Sequence, residues 1–577
     1  MDTLFTTSTS KFETIINGDY IYVDKTDHIY NLIKSQPKSF LCRPRRFGKS
    51  LLVDTLDNLF SGRRDLFSNL WINSSDYSFD KFPVIRLDFS RIPFRTSNIF
   101  ASSIVKKLKK IATIHKIKIN SNELKSCMDE LISKLCSKFD NEVVILIDEY
   151  DAPLLDFNLA PKVKDNIITT LRDLYSSIKA LDNDIFFIFV TGITQISRTI
   201  IGQSASNLKD ISISDYFSSI CGFTISEMDK YFGKYYDITL QEMINKKRLD
   251  TKTTIDMFKQ LIINWYDGYN FNFDPTNNIN VLNPVSIKSF FFDKIFSGFW
   301  VQSGPSSYLS DQIKNNPSSF IDTLSIGEAS ERNLLFKIQD LTTLEVNEPA
   351  PLPLLFQSGY LTLNKDLYDF KNELRFGLKF PNLEVTYAWQ SALYQGLFTE
   401  KFLKHSNRIK DSFLDAILSN NESEFELILS NAISSLIYNE HPSNEKDYQR
   451  LFHILFVGWD LEVFSHLPSP RGISDLEIAL DKDTHAVIEL KYLKPETGIT
   501  PEKRANDIEN TARRALKQIV KKTYGHRGGR PAKTLIRIGL VVHECDRVRA
   551  LFSMDGSIPE KPRRPRRPKA AKTPPST

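Results

Sequence analysis

Residues 40–50, Phe-Leu-Cys-Arg-Pro-Arg-Arg-Phe-Gly-Lys-Ser, constrain the fold of this chain more than any other stretch. A short apolar run leads into a basic loop, and Gly-Lys-Ser at 48–50 then opens the amphipathic run 51–56. A buried strand, a loop and a helix in this order are typical of a P-loop, in which backbone N–H groups at the helix N-terminus cradle phosphates. Glycine usually begins such a loop, whereas Arg43 stands there in this chain. The stretch predicts a phosphate-binding α/β domain.

Each residue of the predicted loop has an expected role. Lys49 reaches the outer phosphates, and the Ser50 hydroxyl joins Mg²⁺. We expect ATP as the nucleotide because the chain lacks an obvious Asn-Lys-x-Asp motif for reading guanine. A solvated run of charges is the alternative interpretation of the arginines. The other loop residues expected to bind the nucleotide are Arg43, Arg45, Arg46, Phe47 and Gly48.

A second apolar run, residues 143–147, ends in two carboxylates, Asp148 and Glu149. Five such residues in succession are typical of a strand buried on both faces. This strand would deliver Asp148 to a metal ion and Glu149 to an attacking water at its C-terminal end. Taken alone, the pair is equally compatible with a helix cap or a surface turn. Its position after a P-loop favours the catalytic interpretation.

Strand-like stretches alternate with helical ones in the N-terminal part of the chain. Apolar runs at 83–89 and 185–190 predict two more strands, and Thr191 follows the second as a polar sensor beside the γ-phosphate. The alternation predicts a parallel sheet with helices on both faces. Since ligands bind such sheets at the carboxyl ends of the strands, the polar residues named so far are expected to converge there. Residues 215–400 are mainly helical in pattern and rich in aromatic residues.

The C-terminal part contains a second candidate site. Residues 471–480 and 486–493 are strand-like and flank a polar turn, which predicts a β-hairpin. Glu489 and Lys491 are two residues apart on the second strand and therefore share a face. With Asp475 on the first strand, this face has the two carboxylates and the ammonium that metal-dependent phosphodiester hydrolysis requires.

The catalytic interpretation assigns a role to each of these residues. Asp475 and Glu489 hold Mg²⁺, and Lys491 orients or helps to deprotonate the water. Glu445, on a preceding helix, completes the carboxylate set. The alternative is a polar strand face with a Glu–Lys ion pair, and from spacing alone this alternative is at least as good. Residues 535–542 are predicted to close the sheet as its last strand.

Composition indicates the class of protein and the compartment in which it works. The chain has 577 residues, of which 41% are hydrophobic and 25% charged, as in globular proteins of several domains. No apolar run approaches the roughly 18 residues that span a bilayer, and the first residues lack a signal-peptide pattern. The five cysteines are scattered and form no CxxC pair. We expect a cytoplasmic protein without membrane contact, disulfide framework or zinc site.

The chain resembles the AAA-ATPase-like proteins that carry a C-terminal PD-(D/E)XK nuclease-like domain. The motifs of the resemblance lie at residues 22–26, 43–50, 148–153, 191–193, 283–286, 358–362 and 381–385. Arginine occupies the position of Arg43 in that family, so the missing glycine is no objection to a P-loop. The resemblance implies an α/β class: a P-loop NTPase sheet, a mainly helical middle region and a restriction-endonuclease-like α/β domain.

The resemblance also implies domain limits and a function. It places the AAA-ATPase-like P-loop domain at 1–235, the helical extension at 236–400 and the nuclease-like domain at 401–555. The basic, Pro-rich tail at 556–577 lies outside the resemblance, and its composition predicts disorder. The implied function is ATP binding and hydrolysis coupled to a metal-dependent nuclease acting on DNA. The rival hypothesis is a nucleotide-dependent switch or scaffold whose nuclease-like domain only binds nucleic acid or a protein partner. A homo-oligomer is left open.

Three further features have two interpretations each. Arg198 is a candidate charge stabiliser in ATP hydrolysis or a surface arginine. The resemblance implies that Gln518 contacts the scissile region, and a solvated helix face is the alternative. The basic tail binds nucleic acid weakly through its charges, or it only keeps the protein in solution.

Overall fold

The apolar run before the P-loop becomes β1 (Lys38–Cys42), an inner strand of a five-stranded parallel sheet. The other strands are β2 (Val84–Asp88), β3 (Val143–Asp148), β4 (Ile185–Gly192) and β5 (Lys209–Asp210). Their order is β2-β3-β4-β1-β5, and every pairing is parallel, which confirms the predicted parallel sheet. All residues of β3 are buried, as its unbroken aliphatic sequence predicts. The two-residue β5 was not predicted, because it is too short to produce a pattern.

Among the described residues, six α-helices accompany this sheet. They are α1 (Phe12–Asn17), α2 (Thr26–Ser35), α3 (Lys49–Phe60), α4 (Ser97–Ile114), α5 (Leu124–Phe139) and α6 (Pro161–Ala180). Side chains that accept from free N–H groups begin two of them: Thr96 caps α4 and Glu123 caps α5. Pro161 begins α6, where its missing N–H costs no hydrogen bond.

The next part of the chain is mainly helical. Its helices are α7 (Ile225–Phe232), α8 (Tyr236–Asn245), α9 (Ile255–Tyr266), α10 (Pro284–Asp293), α11 (Ser306–Asn315), α12 (Ile338–Thr342), α13 (Pro351–Ser358) and α14 (Leu383–Leu397). Aromatic residues such as Phe232, Tyr266 and Phe290 form its core. It also contains an antiparallel hairpin, β6 (Thr362–Phe370) with β7 (Glu373–Lys379), which was not predicted. Polar residues interrupt the alternation of β6, and its register shifts there.

The C-terminal part has a second five-stranded sheet, of mixed direction. Its strands are β8 (Glu462–Ser469), β9 (Gly472–Ala479), β10 (Thr484–Leu493), β13 (Thr534–His543) and β14 (Arg547–Ser553), in the order β14-β13-β10-β9-β8. The antiparallel pairing of β9 with β10 confirms the predicted hairpin. The predicted strand at 535–542 is confirmed as β13, but it is not the last strand of the sheet, because β14 pairs antiparallel with it. A separate two-stranded sheet joins β11 (His526–Arg527) to β12 (Arg530–Pro531).

Five helices belong to this part of the chain. They are α15 (Glu400–Lys404), α16 (Ser406–Leu418), α17 (Glu422–Ile433), α18 (Glu445–Gly458) and α19 (Pro501–Lys522). The connection through α19 allows β10 and β13 to pair in parallel. The apolar stripe of α19 packs on the sheet, and Gly539 permits close approach, since a Cβ there would lie 2.4 Å from the Ala512 carbonyl oxygen.

The structure is a computed structural model, and it describes residues 9–156, 159–195, 207–274, 279–300, 306–316, 320, 335–342, 350–370, 373–437, 442–469, 472–481, 483–522, 526–527 and 530–558. The chain divides into two compact units, Met1–Leu309 with Asp322–Trp389 and Ser310–Ile321 with Gln390–Thr577. Most of the predicted helical extension thus belongs to the same unit as the P-loop. Arg198 and the tail from residue 559 onward lie outside the described residues. Within the described ranges, no helix is both long and apolar enough to cross a membrane.

Candidate nucleotide site and carboxylate cluster

The loop between β1 and α3 has the backbone of a phosphate-binding loop. Gly48, at the N-cap of α3, has φ +97°, and Arg46 has φ +70°. A Cβ at Gly48 would meet no atom within 4 Å, so the positive φ explains the glycine better than space does. The N-terminus of α3 begins at Lys49 and points its free N–H groups to the loop.

Lys49 is folded under its own loop. Its side chain is buried, and Nζ donates to the carbonyl oxygens of Arg43 at 2.9 Å and Pro44 at 3.1 Å. Burial lowers the pKa of Lys49, while the charges of Glu149 and Asp148 oppose this effect. The ammonium can therefore exchange carbonyl oxygens for phosphate oxygens without leaving the loop.

Asp148 and Ser50 meet at the carboxyl end of β3. The Ser50 hydroxyl is hydrogen-bonded to the Asp148 carboxylate, and burial raises the pKa of Asp148. Asp148 Oδ1 is buried and has no hydrogen-bond partner among the described residues. A buried carboxylate oxygen without a partner is costly. Together with a hydroxyl, it is the donor set that suits Mg²⁺, so these residues fit the predicted metal.

Glu149 lies beside them in a strained backbone conformation. Its φ is +48°, in the left-handed region that few non-glycine residues adopt. Its side chain is partly buried, and burial raises its pKa although Lys49 lowers it. A cavity of about 740 Å³ opens beside Ser50, Asp148 and Glu149 and gives water access to the carboxylate. A carboxylate of raised pKa with access to water suits a general base.

Two residues predicted to bind the nucleotide, Arg43 and Thr191, donate to backbone carbonyl oxygens. Arg43 is 1% exposed, and its guanidinium donates to the backbone carbonyls of Cys42, Ser212, Phe217 and Ser218. The Thr191 hydroxyl donates to the Leu41 carbonyl oxygen at 2.9 Å and so ties β4 to β1. These contacts favour positioning roles for Arg43 and Thr191 over phosphate contact.

The remaining loop residues differ in exposure. The Arg45 side chain is exposed, whereas Arg46 is partly buried and donates to the Phe299 carbonyl oxygen at 3.2 Å. Phe47 is buried edge-on against Tyr269, with ring centroids 4.7 Å apart. The second half of the loop is therefore held from the helical region.

Sequence reasoning missed the residues that hold the loop from behind. Trp300 Nε1 donates to the Arg45 carbonyl oxygen at 3.3 Å. Glu384 accepts from Trp300 N at 2.7 Å and from Ser286 Oγ at 2.8 Å, and burial raises its pKa to about 7. A Cβ on Gly359, at φ +92°, would lie 2.6 Å from Pro44 Cβ. The motifs at 283–286, 358–362 and 381–385 were the available signal, because they all meet here.

Asp151 is a second residue without a predicted role. It is fully buried, and Oδ2 accepts from Ile193 N at 2.9 Å, Thr194 N at 2.7 Å and Thr194 Oγ1 at 2.7 Å. This side chain fixes the segment after β4 against the segment after β3. Asp151 follows Glu149 by two residues, so these bonds anchor the backbone next to Glu149.

The four residues of the predicted C-terminal site converge in their own unit. Lys491 Nζ lies 3.0 Å from Glu445 Oε1, 3.2 Å from Glu489 Oε1 and 4.0 Å from Asp475 Oδ2. Glu445 is the first residue of α18, and the others lie on β9 and β10. Two contacts orient Asp475: Gln449 Nε2 donates to its carbonyl oxygen at 2.7 Å, and Leu490 N donates to Oδ2 at 2.8 Å.

Burial dominates the electrostatics of this cluster. Glu489 is 1% exposed, and burial together with the charge of Asp475 raises its pKa to about 7. Burial lowers the pKa of Lys491, but Glu489, Glu445 and Asp475 outweigh it and the net pKa is raised. Glu489 Oε2 has no hydrogen-bond partner within the described part of the chain. A cation next to this oxygen would relieve both burial and repulsion, so Asp475 and Glu489 fit a metal by their chemistry.

The arrangement differs from a ready-made metal centre. Nowhere in the described ranges do three or more His, Cys, Asp or Glu side chains form a group that could hold a metal ion. Lys491 takes the central position among the carboxylates of the C-terminal cluster. Gln518 is partly buried on α19, which packs on β10 and β13.

The parallel sheet and the loop between β1 and α3 are those of a P-loop-like domain. A family model described as a predicted AAA-ATPase matches residues 6–202, which contain the P-loop, Asp148 and Glu149. The match indicates nucleotide binding by this part of the chain. Over most of its length the chain is similar to an uncharacterized protein in the vnfD 5′ region of Azotobacter chroococcum mcd 1. The two are 28% identical over 478 residues, which cover 81% of this chain and 85% of that protein.

Proposed function

We propose that this protein binds and hydrolyses ATP at the P-loop. The observation that carries the proposal is the meeting of Lys49, Ser50, Asp148 and Glu149 at one end of the parallel sheet, although they lie on segments about a hundred residues apart. Lys49 binds the outer phosphates, and Ser50 with Asp148 would hold Mg²⁺. When bound, Mg²⁺ neutralises charge on the phosphate oxygens. Glu149 accepts the proton of the attacking water.

The test of this part is ATP turnover by the full chain. Release of inorganic phosphate that needs Mg²⁺ and disappears in Lys49→Ala supports the proposal. A wild-type protein that binds no nucleotide in the presence of Mg²⁺ would overturn it.

The second part of the proposal is that the C-terminal unit cleaves DNA with a divalent metal. Asp475 and Glu489 would hold the metal, which polarises a phosphate when bound. Lys491, bonded to Glu445 and Glu489, is placed to orient the water. Support comes from the convergence of four residues on one hairpin and one helix, and from the partnerless oxygen of Glu489. ATP hydrolysis in the first unit would gate this reaction.

Cleavage of plasmid DNA tests the second part. Wild type and Asp475→Ala are compared in Mg²⁺ or Mn²⁺, with and without ATP. Cleavage that needs Asp475 supports the nuclease, and a response to ATP supports the gating.

One observation favours the rival function, a nucleotide-dependent switch or scaffold. Lys491 already neutralises the carboxylates that would hold the metal. An inert cluster of this kind would keep the fold and bind nucleic acid or a partner without cutting. ATP binding without any cleavage under all four conditions would favour this function.

A further inference from the structure

Helix α3 separates two cavities of opposite character. The larger, of about 740 Å³, is lined on the α3 side by Ser50, Asp54, Asp57 and Ser61. The smaller, of about 60 Å³, is lined by Gly48, Leu51, Leu52 and Thr55 of the same helix and its N-cap. The first adjoins the carboxylates of the catalytic end. The second adjoins the phosphate loop through Gly48 but is largely apolar.

Lys288 is the unusual residue of the small cavity. It lies on α10, is 9% exposed, and its ammonium is 6.0 Å from the ring centroid of Phe223. No carboxylate of the described residues pairs with it, and burial alone lowers its pKa, to about 8. A buried ammonium without a counter-charge destabilises the fold. Such groups are therefore found mainly where they serve a ligand.

The other lysine of this cavity, Lys25, differs from Lys288 because it has a carboxylate partner. Lys25 also lines it and is buried to the same degree, yet its Nζ lies 2.6 Å from Glu227 Oε1. The remaining titratable groups of the wall are the Tyr22 hydroxyl and the Cys221 thiol, and burial raises the pKa of both. Both are neutral near pH 7. Lys288 is thus the one cation of the described wall that no protein anion compensates.

The position of the cavity indicates its ligand. A triphosphate held at the N-terminus of α3 keeps its terminal phosphate near Lys49 and Glu149, so its nucleoside must leave the loop on another side. The cavity at Gly48 and Leu51 begins at the loop and is apolar, as a nucleobase requires. At about 60 Å³ it has room for a few water molecules or for the edge of a base. An ammonium has three donors and no acceptor, so it selects an acceptor atom of the ligand.

We propose that this cavity receives the nucleoside end of the bound nucleotide, and that Lys288 donates to an acceptor on its purine or ribose. Lys288 is then a binding residue that recognises the nucleoside and not the phosphates. This inference rests on the proposed nucleotide site. On this proposal the helical region takes a direct part in nucleotide recognition, because Lys288 lies on α10.

Two probes separate the nucleoside from the phosphates. Isothermal titration calorimetry on the full chain measures the Kd of ATP and of inorganic tripolyphosphate, both with Mg²⁺. In Lys288→Met we expect the Kd of ATP to rise about tenfold, because a charge-assisted hydrogen bond is lost, while that of tripolyphosphate changes less than about twofold. Lys288→Arg keeps the charge and should recover part of the ATP affinity. Lys294→Met, at the end of the same helix but paired with Glu242, is the matched control.

Thermal unfolding keeps the test informative if affinities fall for another reason. Since Lys288→Met removes an uncompensated buried charge, we expect its Tm to rise while its ATP affinity falls. A lower Tm with equal loss of both ligands would show a structural lysine and overturn the inference. Equal loss of both ligands at unchanged Tm would assign Lys288 to the phosphates and also overturn it, as would unchanged affinity for ATP. A wild type that binds neither probe would instead refute the proposed nucleotide site itself.

Discussion

The two candidate sites both place a lysine among carboxylates, but they differ in what the lysine already binds. Lys49 donates to carbonyl oxygens of its own loop, at 2.9 and 3.1 Å, and leaves the oxygens of Asp148 to other partners. Lys491 lies within 4.0 Å of three carboxylates and neutralises them directly. The first site is therefore open to both an anion and a cation. The second must rearrange its ion pairs before it can hold a metal.

The sites also differ in how the chain builds them. The P-loop site joins segments around residues 50, 148 and 193, which meet only because their strands are parallel neighbours. The C-terminal cluster takes three of its four residues from one hairpin. A local site of this kind can persist after its activity is lost, because the hairpin forms in any case. A site assembled from distant strands requires the whole sheet.

The largest expected effect is on ATP turnover in Glu149→Gln. Loss of a general base lowers the rate by about 10²–10⁴-fold, while ATP binding stays within about threefold, since Lys49 and Ser50 remain. Steady-state phosphate release and calorimetry measure the two quantities. Glu142→Gln, an exposed glutamate at the start of the same strand, is the control. Retained turnover in Glu149→Gln would remove Glu149 from the role of base.

The second effect decides whether the C-terminal cluster is a catalytic site. Lys491→Ala should lower DNA cleavage by roughly 10²–10³-fold, as removal of a charge-stabilising donor does, without weakening DNA binding. Cleavage assays and a gel-shift titration measure these quantities. Lys533→Ala is the matched control, because Lys533 is an exposed lysine that directly precedes β13 and pairs with Asp483. If Lys491→Ala changes neither quantity, the nuclease interpretation is wrong.

The third effect is on nucleotide binding in Lys49→Ala. Two charge-assisted bonds to phosphate are lost, each contributing roughly 1.5–3 kcal/mol, so the Kd of ATP should rise about 10²-fold or more. Lys34→Ala, an exposed lysine of α2 paired with Asp76, serves as the control. Equal affinity in Lys49→Ala and wild type would show that ATP binds elsewhere.

The smallest effect concerns the network behind the P-loop. The pKa of Glu384 is raised from about 4.5 to about 7 in the folded protein, so the folded state holds its proton more tightly between these pH values. The free energy of unfolding therefore falls as pH rises from about 4.5 to about 7, by on the order of 3 kcal/mol from this group. Glu384→Gln should flatten this part of the profile. Denaturant unfolding at pH 5 and pH 7.5 measures it.

The control for this profile is the other unit. A probe in the C-terminal unit should keep the wild-type pH profile in Glu384→Gln. If the slope of the first unit persists in Glu384→Gln, another group causes it.

Much of the fold could be predicted, namely the strands and helices whose own sequence pattern is sufficient to identify them. The six consecutive apolar or acidic residues of β3, and the two apolar runs that flank a polar turn in β9 and β10, predicted strands correctly. The hairpin β6–β7 and the strand β14 were missed, because polar residues within these strands concealed their period. Pairing with a neighbouring strand stabilises these strands, although their local β-propensity is weak.

The sequence predicted which residues lie near the candidate site more reliably than it predicted the role of each residue. Lys49, Asp148 and Glu149 have side chains whose chemistry suits phosphate, metal and water in most surroundings. Arg43 and Thr191 do not, because a guanidinium or a hydroxyl serves a backbone carbonyl as well as a phosphate. The environment of the side chain in the folded protein decides between a carbonyl and a phosphate partner. Both side chains are buried and donate to carbonyl oxygens.

The amino-acid sequence by itself determined the P-loop, the carboxylate-ended strand and the hairpin face, since each depends on spacing within about ten residues. Only the tertiary structure decided that Glu384 and Trp300 hold the loop from behind and that Lys288 is buried without a counter-charge. The physical reason is that burial and ion pairing are properties of neighbours in space. Lys288 and Gly48 are 240 residues apart in the chain, and they share a cavity only because the fold brings the start of α10 to the loop before α3.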